Sequence, residues 1–163
     1  MKNTITLVDG EASVDLNDPW ELVLNQECSG QYCVEPSAIW LSRPASDRGA
    51  AVLIEQEQEL HDIQPYLQDI RLVALMFKDF KDGRAYSLAY LLRTRFGYKG
   101  ELRAVGEVLR DQLSLMRQCG FTSFAIKEGK DPYDALKGIK GLSVTYSSSV
   151  SSPSPLFRRV RRY

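Results

Sequence analysis

The stretch Leu72–Lys127, LVALMFKDFKDGRAYSLAYLLRTRFGYKGELRAVGEVLRDQLSLMRQCGFTSFAIK, decides how the chain is read. Leu72 to Phe77 is apolar on both faces, as a strand buried in a parallel sheet must be. A polar loop follows, with Asp82 as the expected N-cap of a helix. In that helix Ala85, Leu88, Ala89, Leu92 and Phe96 recur at the 3.6-residue spacing of one buried stripe, and Gly97 stops it. Glu101 to Val105 is the next strand. A second helix carries Val108, Leu109, Leu113, Met116 and Cys119 and closes at Gly120. Phe124-Ala125-Ile126 opens a third strand.

The same rhythm extends outward. Ala50 to Ile54 is another unbroken apolar run. A helix is expected within 57–68, with Pro65 near one of its ends. On the other side, Asp131-Pro132 opens a short helix to about Lys137, and Leu142 to Tyr146 reads as a last strand. The βα units therefore begin near residues 50, 71, 101 and 123. Strands alternating with helices predict an α/β fold with a mostly parallel sheet, either half of a TIM-like barrel or a small open sheet. Ahead of this core, TITLVDGEASVDL at 4–16 predicts a β-hairpin turning at Asp9-Gly10. Asp18-Pro19-Trp20 breaks the pattern, Glu21 to Leu24 is extended, Gln26 to Glu35 is loop, and Pro36-Ser37 opens a short helix ending near Arg43-Pro44. The expected organisation is one α/β domain over 1–147, its core units spanning 50–146, followed by a Ser/Pro-rich, Arg-rich tail at 148–163.

With 163 residues, 44% hydrophobic and 26% charged, the chain has the composition of a globular domain. No apolar run approaches the ~18 residues of a membrane helix, and no signal-peptide pattern opens the chain, so a cytoplasmic protein is expected. The net charge of zero is unevenly spread. Residues 1–65 hold 3 Lys/Arg against 12 Asp/Glu, and residues 66–163 hold 18 against 9. The two halves are expected to attract each other within the fold; the alternative is a basic half facing an anionic partner. The tail LFRRVRRY suits a protein contact or docking onto the acidic N-terminal part, and nucleic acid is not expected without a binding motif.

The three cysteines, Cys28, Cys33 and Cys119, form no CxxC pair, and two loop thiols without a histidine leave a zinc site short of ligands. No metal is expected. GxGxxG, Walker A, GxSxG and HExxH are all absent, and the sole histidine, His61, lies in an acidic segment without a Ser or Cys partner. The residues name no cofactor.

In parallel sheets, ligands bind beyond the C-terminal strand ends. Those ends carry the candidate site here: Asp82 and Asp111 as acid or base, with Arg84, Ser87, Arg103, Gln112 and Lys127 to bind a small anion. The bland reading of the same residues is that Asp82 caps, Arg84 pairs with a carboxylate and the lysine is solvated. Glu101 and Arg103 share one face of a strand that should be buried, so they form either an ion pair or a polar pocket. An enzyme at this edge needs Arg84 and Arg103 in one pocket; separate salt bridges argue against it.

The order DGR, YS, LLR, GELRAVG, VLRDQL, CGF closely resembles the core signature of the bacterial family called domain of unknown function 934. VDGE…DPW and PLFRR extend the likeness almost end to end. The signature positions are Asp82, Gly83, Arg84, Ser87, Glu101, Arg103, Gly106, Asp111 and Gln112. Relatives commonly carry proline where this chain has Lys78 and glycine where it has Ala85. The resemblance implies an oxidoreductase or accessory protein of assimilatory sulfite and sulfate reduction, with sulfite reductase or another sulfate-assimilation enzyme as partner. It brings no established catalytic residues.

Overall fold

The computed structural model describes residues 1–24, 30–141 and 146–159. Among the described residues eight strands form one sheet: β1 (Thr4–Val8), β2 (Glu11–Asp15), β3 (Glu21–Leu22), β4 (Cys33–Pro36), β5 (Ala51–Ile54), β6 (Leu72–Phe77), β7 (Glu101–Gly106) and β8 (Ser123–Ala125). Their order is β2-β1-β8-β7-β6-β5-β4-β3, an open and strongly curled half-barrel. The helices are α1 (Ser37–Ser42), α2 (Glu57–Ile63), α3 (Arg84–Thr94), α4 (Leu113–Cys119), α5 (Pro132–Leu136) and α6 (Leu156–Arg159).

The expectation of a mostly parallel sheet needs correction, because the sheet is mixed. β3 to β8 run parallel, but β1 joins β8 antiparallel and β2 joins β1 antiparallel. The predicted hairpin is present, turning at Asp9 and Gly10, both with positive φ. Instead of standing apart it continues the sheet, because β8 would otherwise leave an edge of unpaired backbone groups. A second difference lies at Gln26 to Glu35, which the sequence reading leaves as loop. Cys33–Pro36 is a parallel strand beside β5, with Cys33, Val34 and Glu35 buried. Four residues ending in proline carry too little alternation to announce a strand. Cys28 and the last expected strand, but for Tyr146, lie outside the described residues.

The sheet has two unlike faces. All helices except α6, which buries nothing, pack on one of them. There Val52, Ile54, Val73, Leu75, Phe77, Leu102, Ala104 and Phe124 meet Trp40, Leu60, Ile63, Leu88, Leu92, Leu113 and Met116. The opposite face is equally dry at Ala51, Leu53, Leu72, Ala74 and Val105, but among the described residues no helix covers it. Met1, Trp20 and Leu22, from the segments around the hairpin, close over it instead. Continuous apolar runs such as Leu72–Phe77 follow directly, since both sides of the strand lie out of water. Two cross-half ion pairs, Asp18–Arg103 and Glu55–Lys78, join the acidic and basic parts of the chain.

The tail folds back onto the core. Val150 donates its N–H to the Gln118 carbonyl at 2.9 Å, next to Gly120, which ends α4 in the left-handed conformation. At the end of β7, Gly106 has φ +93°, and a Cβ there would strike the Phe77 carbonyl and the Met76 sulfur. Gly106→Ala is therefore expected to lower stability by at least about 2 kcal/mol, read as a shift of the urea midpoint at unchanged slope.

Candidate functional site

The charged residues singled out by sequence fall into two places. The first is the helix-free face. Across it, Leu53, Ala74, Arg103, Ser123 and Thr6 lie in register on neighbouring strands. The small neighbours Ala74 and Ser123 leave room for one long side chain, and Arg103 fills it at 1% exposure. Its guanidinium meets Asp18 through two nitrogens, at 2.6 and 3.1 Å, and Glu101 at 2.7 and 3.0 Å. Nε also reaches the Ser123 hydroxyl at 3.1 Å, and that hydroxyl donates to Glu101. Every nitrogen of the group is thus engaged inside the protein.

Asp18 is the centre of the arrangement. It accepts from the Thr4 hydroxyl at 2.9 Å and from the Trp20 N–H at 3.3 Å, and it pairs with the Met1 amino group at 2.9 Å. Burial would raise the Asp18 carboxyl, but hydrogen bonds from Arg103 and the amino terminus, the Arg103 charge and Thr4 bring it below the usual 3.8. The ion pair between Glu101 and Arg103 that the sequence allows is present. The second partner of Arg103, Asp18, sits 85 residues away and escapes sequence reading, since Asp18-Pro19-Trp20 shows there only as a break in the pattern.

The second place is the C-terminal edge of the parallel strands. Asp82 lies one residue before the helix cap, which is Gly83. It binds the Arg84 N–H at 3.1 Å and the Arg84 guanidinium at 2.6–3.2 Å. Those hydrogen bonds hold the Asp82 carboxyl at about 2. Arg84 is otherwise exposed to solvent. Lys127 pairs with Glu107 at 2.7 Å, and Lys78 pairs with Glu55. Ala85 is buried in the core beneath α3.

Asp111 and Gln112 occupy a 3-10 turn ahead of α4 rather than the helix body. Asp111 is exposed, whereas Gln112 is buried with its Oε1 accepting the Leu109 N–H at 2.9 Å, so it caps the turn. Ser87 lies on the exposed side of α3, beside a shallow hollow bordered by Tyr86, Tyr90 and Cys119. Arg84 and Arg103 stand in separate ion pairs, one at the strand edge and one on the helix-free face.

The opposite, N-terminal edge of the strands holds a cleft of about 710 Å³, walled by Trp20, Tyr32, Trp40, Tyr66, Arg48 and Arg71. Arg48 stacks between Trp40 and Tyr66, 4.8 and 4.6 Å from the ring centroids, and donates to the carbonyls of Leu41 and Arg43. Sequence reasoning passes over this aromatic set because its four members come from four separate segments. Among the described residues no helix is long and apolar enough to cross a membrane. Nor is any group of three or more His, Cys, Asp or Glu placed to hold a metal ion.

Fold and charge pattern together define an α/β half-barrel whose helix-free face is closed by a buried arginine cluster. The chain belongs to the family described as bacterial protein of unknown function, DUF934, whose sequence profile matches residues 51–157. No curated protein and no solved structure matches it.

Two outcomes test these roles. Asp18→Asn leaves Arg103 buried with one partner fewer and is expected to cost about 3 kcal/mol at pH 7. Because the Asp18 carboxyl lies below its ordinary value in the folded state, its contribution is complete above about pH 3.8 and disappears as the pH falls through the folded value. The variant's stability should therefore fall less steeply on acidification than the parent's, in urea titrations from pH 6 to 2. Arg84→Ala, in an exposed pair, should leave the urea midpoint where it is.

Proposed function

We propose that this protein serves assimilatory sulfite and sulfate reduction as an accessory that docks on a pathway enzyme such as sulfite reductase. The pathway comes from the family signature, DGR through CGF. The accessory role rests on one observation. Four of the five charged signature residues, Asp82, Arg84, Glu101 and Arg103, are spent on pairs within the chain, and Arg84 and Arg103 share no site. A reading as an anion-handling enzyme at the strand C-terminal edge needs those groups to converge. Docking would draw on the basic second half and on α6, where Arg158 and Arg159 sit on an exposed turn with nothing buried.

Deleting the gene is expected to abolish growth on sulfate and to leave growth on cysteine intact. Normal growth on sulfate, with no second copy of the gene present, would sink the proposal. Affinity capture of the partner should weaken at high salt and on removal of residues 156–163, as an electrostatic contact must. A bound flavin, haem or iron–sulfur chromophore in the purified protein would return the oxidoreductase reading in place of the accessory one.

A further inference from the structure

A second cavity, of about 430 Å³, lies between the C-terminal part of α3, the loop before β7 and the returning tail. Its lining includes two cations, Arg93 and Lys99, together with Tyr90, Thr94, Thr122, Ser148 and Ser149, and holds no carboxylate. That composition is unusual for this chain. Lys78, Arg84 and Lys127 at the C-terminal strand edge and Arg103 on the helix-free face each have an acidic partner, whereas neither Arg93 nor Lys99 makes an ion pair among the described residues.

Arg93 is fixed in place. Its Nε donates to the Gly120 carbonyl at 2.9 Å, and Nη1 donates to the carbonyls of Tyr98 and Gly100 at 2.7 and 2.9 Å. Three carbonyls orient the guanidinium without neutralising it. Its remaining nitrogen, Nη2, is buried and has no acceptor among the described residues. A buried donor without a partner is costly, and one on a cation more so. Burial also pushes the guanidinium below its ordinary value, the direction an anion nearby would reverse.

Around this fixed charge stand groups whose donors are not committed elsewhere. Lys99 is exposed at the rim, and the hydroxyls of Ser148 and Tyr90 bind no other described residue. The tail presents Ser148 and Ser149 through a tight turn, in which Ser149 and Ser152 exchange backbone hydrogen bonds at 2.9 and 3.2 Å, and Val150 ties the turn to Gln118. Hydroxyl and ammonium donors around a guanidinium suit a tetrahedral oxyanion. The volume exceeds that of a bare ion, and Tyr90, Val150 and Pro153 offer apolar wall for an organic body.

We propose that this cavity is a binding site for a phosphate or sulfate group, with Lys99 and Ser148 as its principal donors and the fixed charge of Arg93 behind them. The site is independent of the sulfur-assimilation reading and stands whether or not that reading holds.

The test titrates the full chain at constant ionic strength, balanced with chloride, using inorganic phosphate, inorganic sulfate, phenyl phosphate and phenyl sulfate as separate probes. Calorimetry reads affinity, and backbone amide shifts read location. Saturable binding is expected, with shifts concentrated at residues 98–100 and 148–150. Lys99→Glu is expected to weaken binding by roughly ten-fold or more, with the melting temperature unchanged, since Lys99 is exposed and holds no partner. Lys81→Glu, an equally exposed lysine outside the cavity, should bind as the parent does. Tighter binding of the phenyl esters assigns the site to an organic ester, and equal binding assigns it to the inorganic ion. No saturable binding by any probe, shifts centred elsewhere, or equal losses in the two lysine variants would overturn the proposal.

Discussion

Arg103 is the residue on which the helix-free face depends. A guanidinium at the middle of a sheet is tolerable only if each of its nitrogens finds an acceptor and its charge is matched. Glu101, two residues earlier on the same strand, supplies one match. Asp18 supplies the other, and in doing so fixes where the segment after the hairpin must run. Trp20 and Leu22 are thereby laid over Ala51, Leu53, Leu72 and Ala74, and the face stays dry without a helix. The ion cluster and the apolar cover are one device: the cover keeps water from Arg103, and the cluster holds the cover in place.

The same cluster explains how half a barrel stands open without exposing its interior. A closed barrel fills its centre with side chains from all strands. Here the strand layer Leu53, Ala74, Arg103, Ser123 and Thr6 is filled by one long side chain over small neighbours, and the N-terminal segment takes the place of missing strands. The antiparallel pairing of β1 with β8 follows from the same economy of surface. It covers one sheet edge and brings Thr4 to Asp18 at 2.9 Å.

Charge elsewhere is handled in two distinct ways. At the C-terminal strand edge, lysine and arginine are matched locally: Lys78 by Glu55, Arg84 by Asp82 and Lys127 by Glu107. At the junction of α3, the loop before β7 and the tail, Arg93 is held by three carbonyls and the Tyr98 ring, and among the described residues neither it nor Lys99 has an acidic partner. Local pairs leave little field for a ligand, whereas a cation held by carbonyl oxygens keeps its charge. The contrast makes the second location the better place to look for a bound anion, against the usual expectation for parallel sheets.

Sequence alone determined the elements between Ala50 and Lys127, because a strand dry on both faces and a helix with one apolar stripe leave different periodicities. It also determined the hairpin at Asp9-Gly10 and the helix opened by Asp131-Pro132, and it placed Glu101 and Arg103 on one strand face as an ion pair or a polar pocket, since all of these involve near neighbours. What tertiary structure decided is everything that joins distant segments. Asp18 meets Arg103 across 85 residues, β1 pairs with β8, and Cys33–Pro36 becomes a strand beside β5. The aromatic cleft and the Arg93 cavity likewise gather residues from several segments. Local periodicity reports how one element faces water. Which elements then meet depends on the packing of whole surfaces, and for that no residue spacing carries a signal.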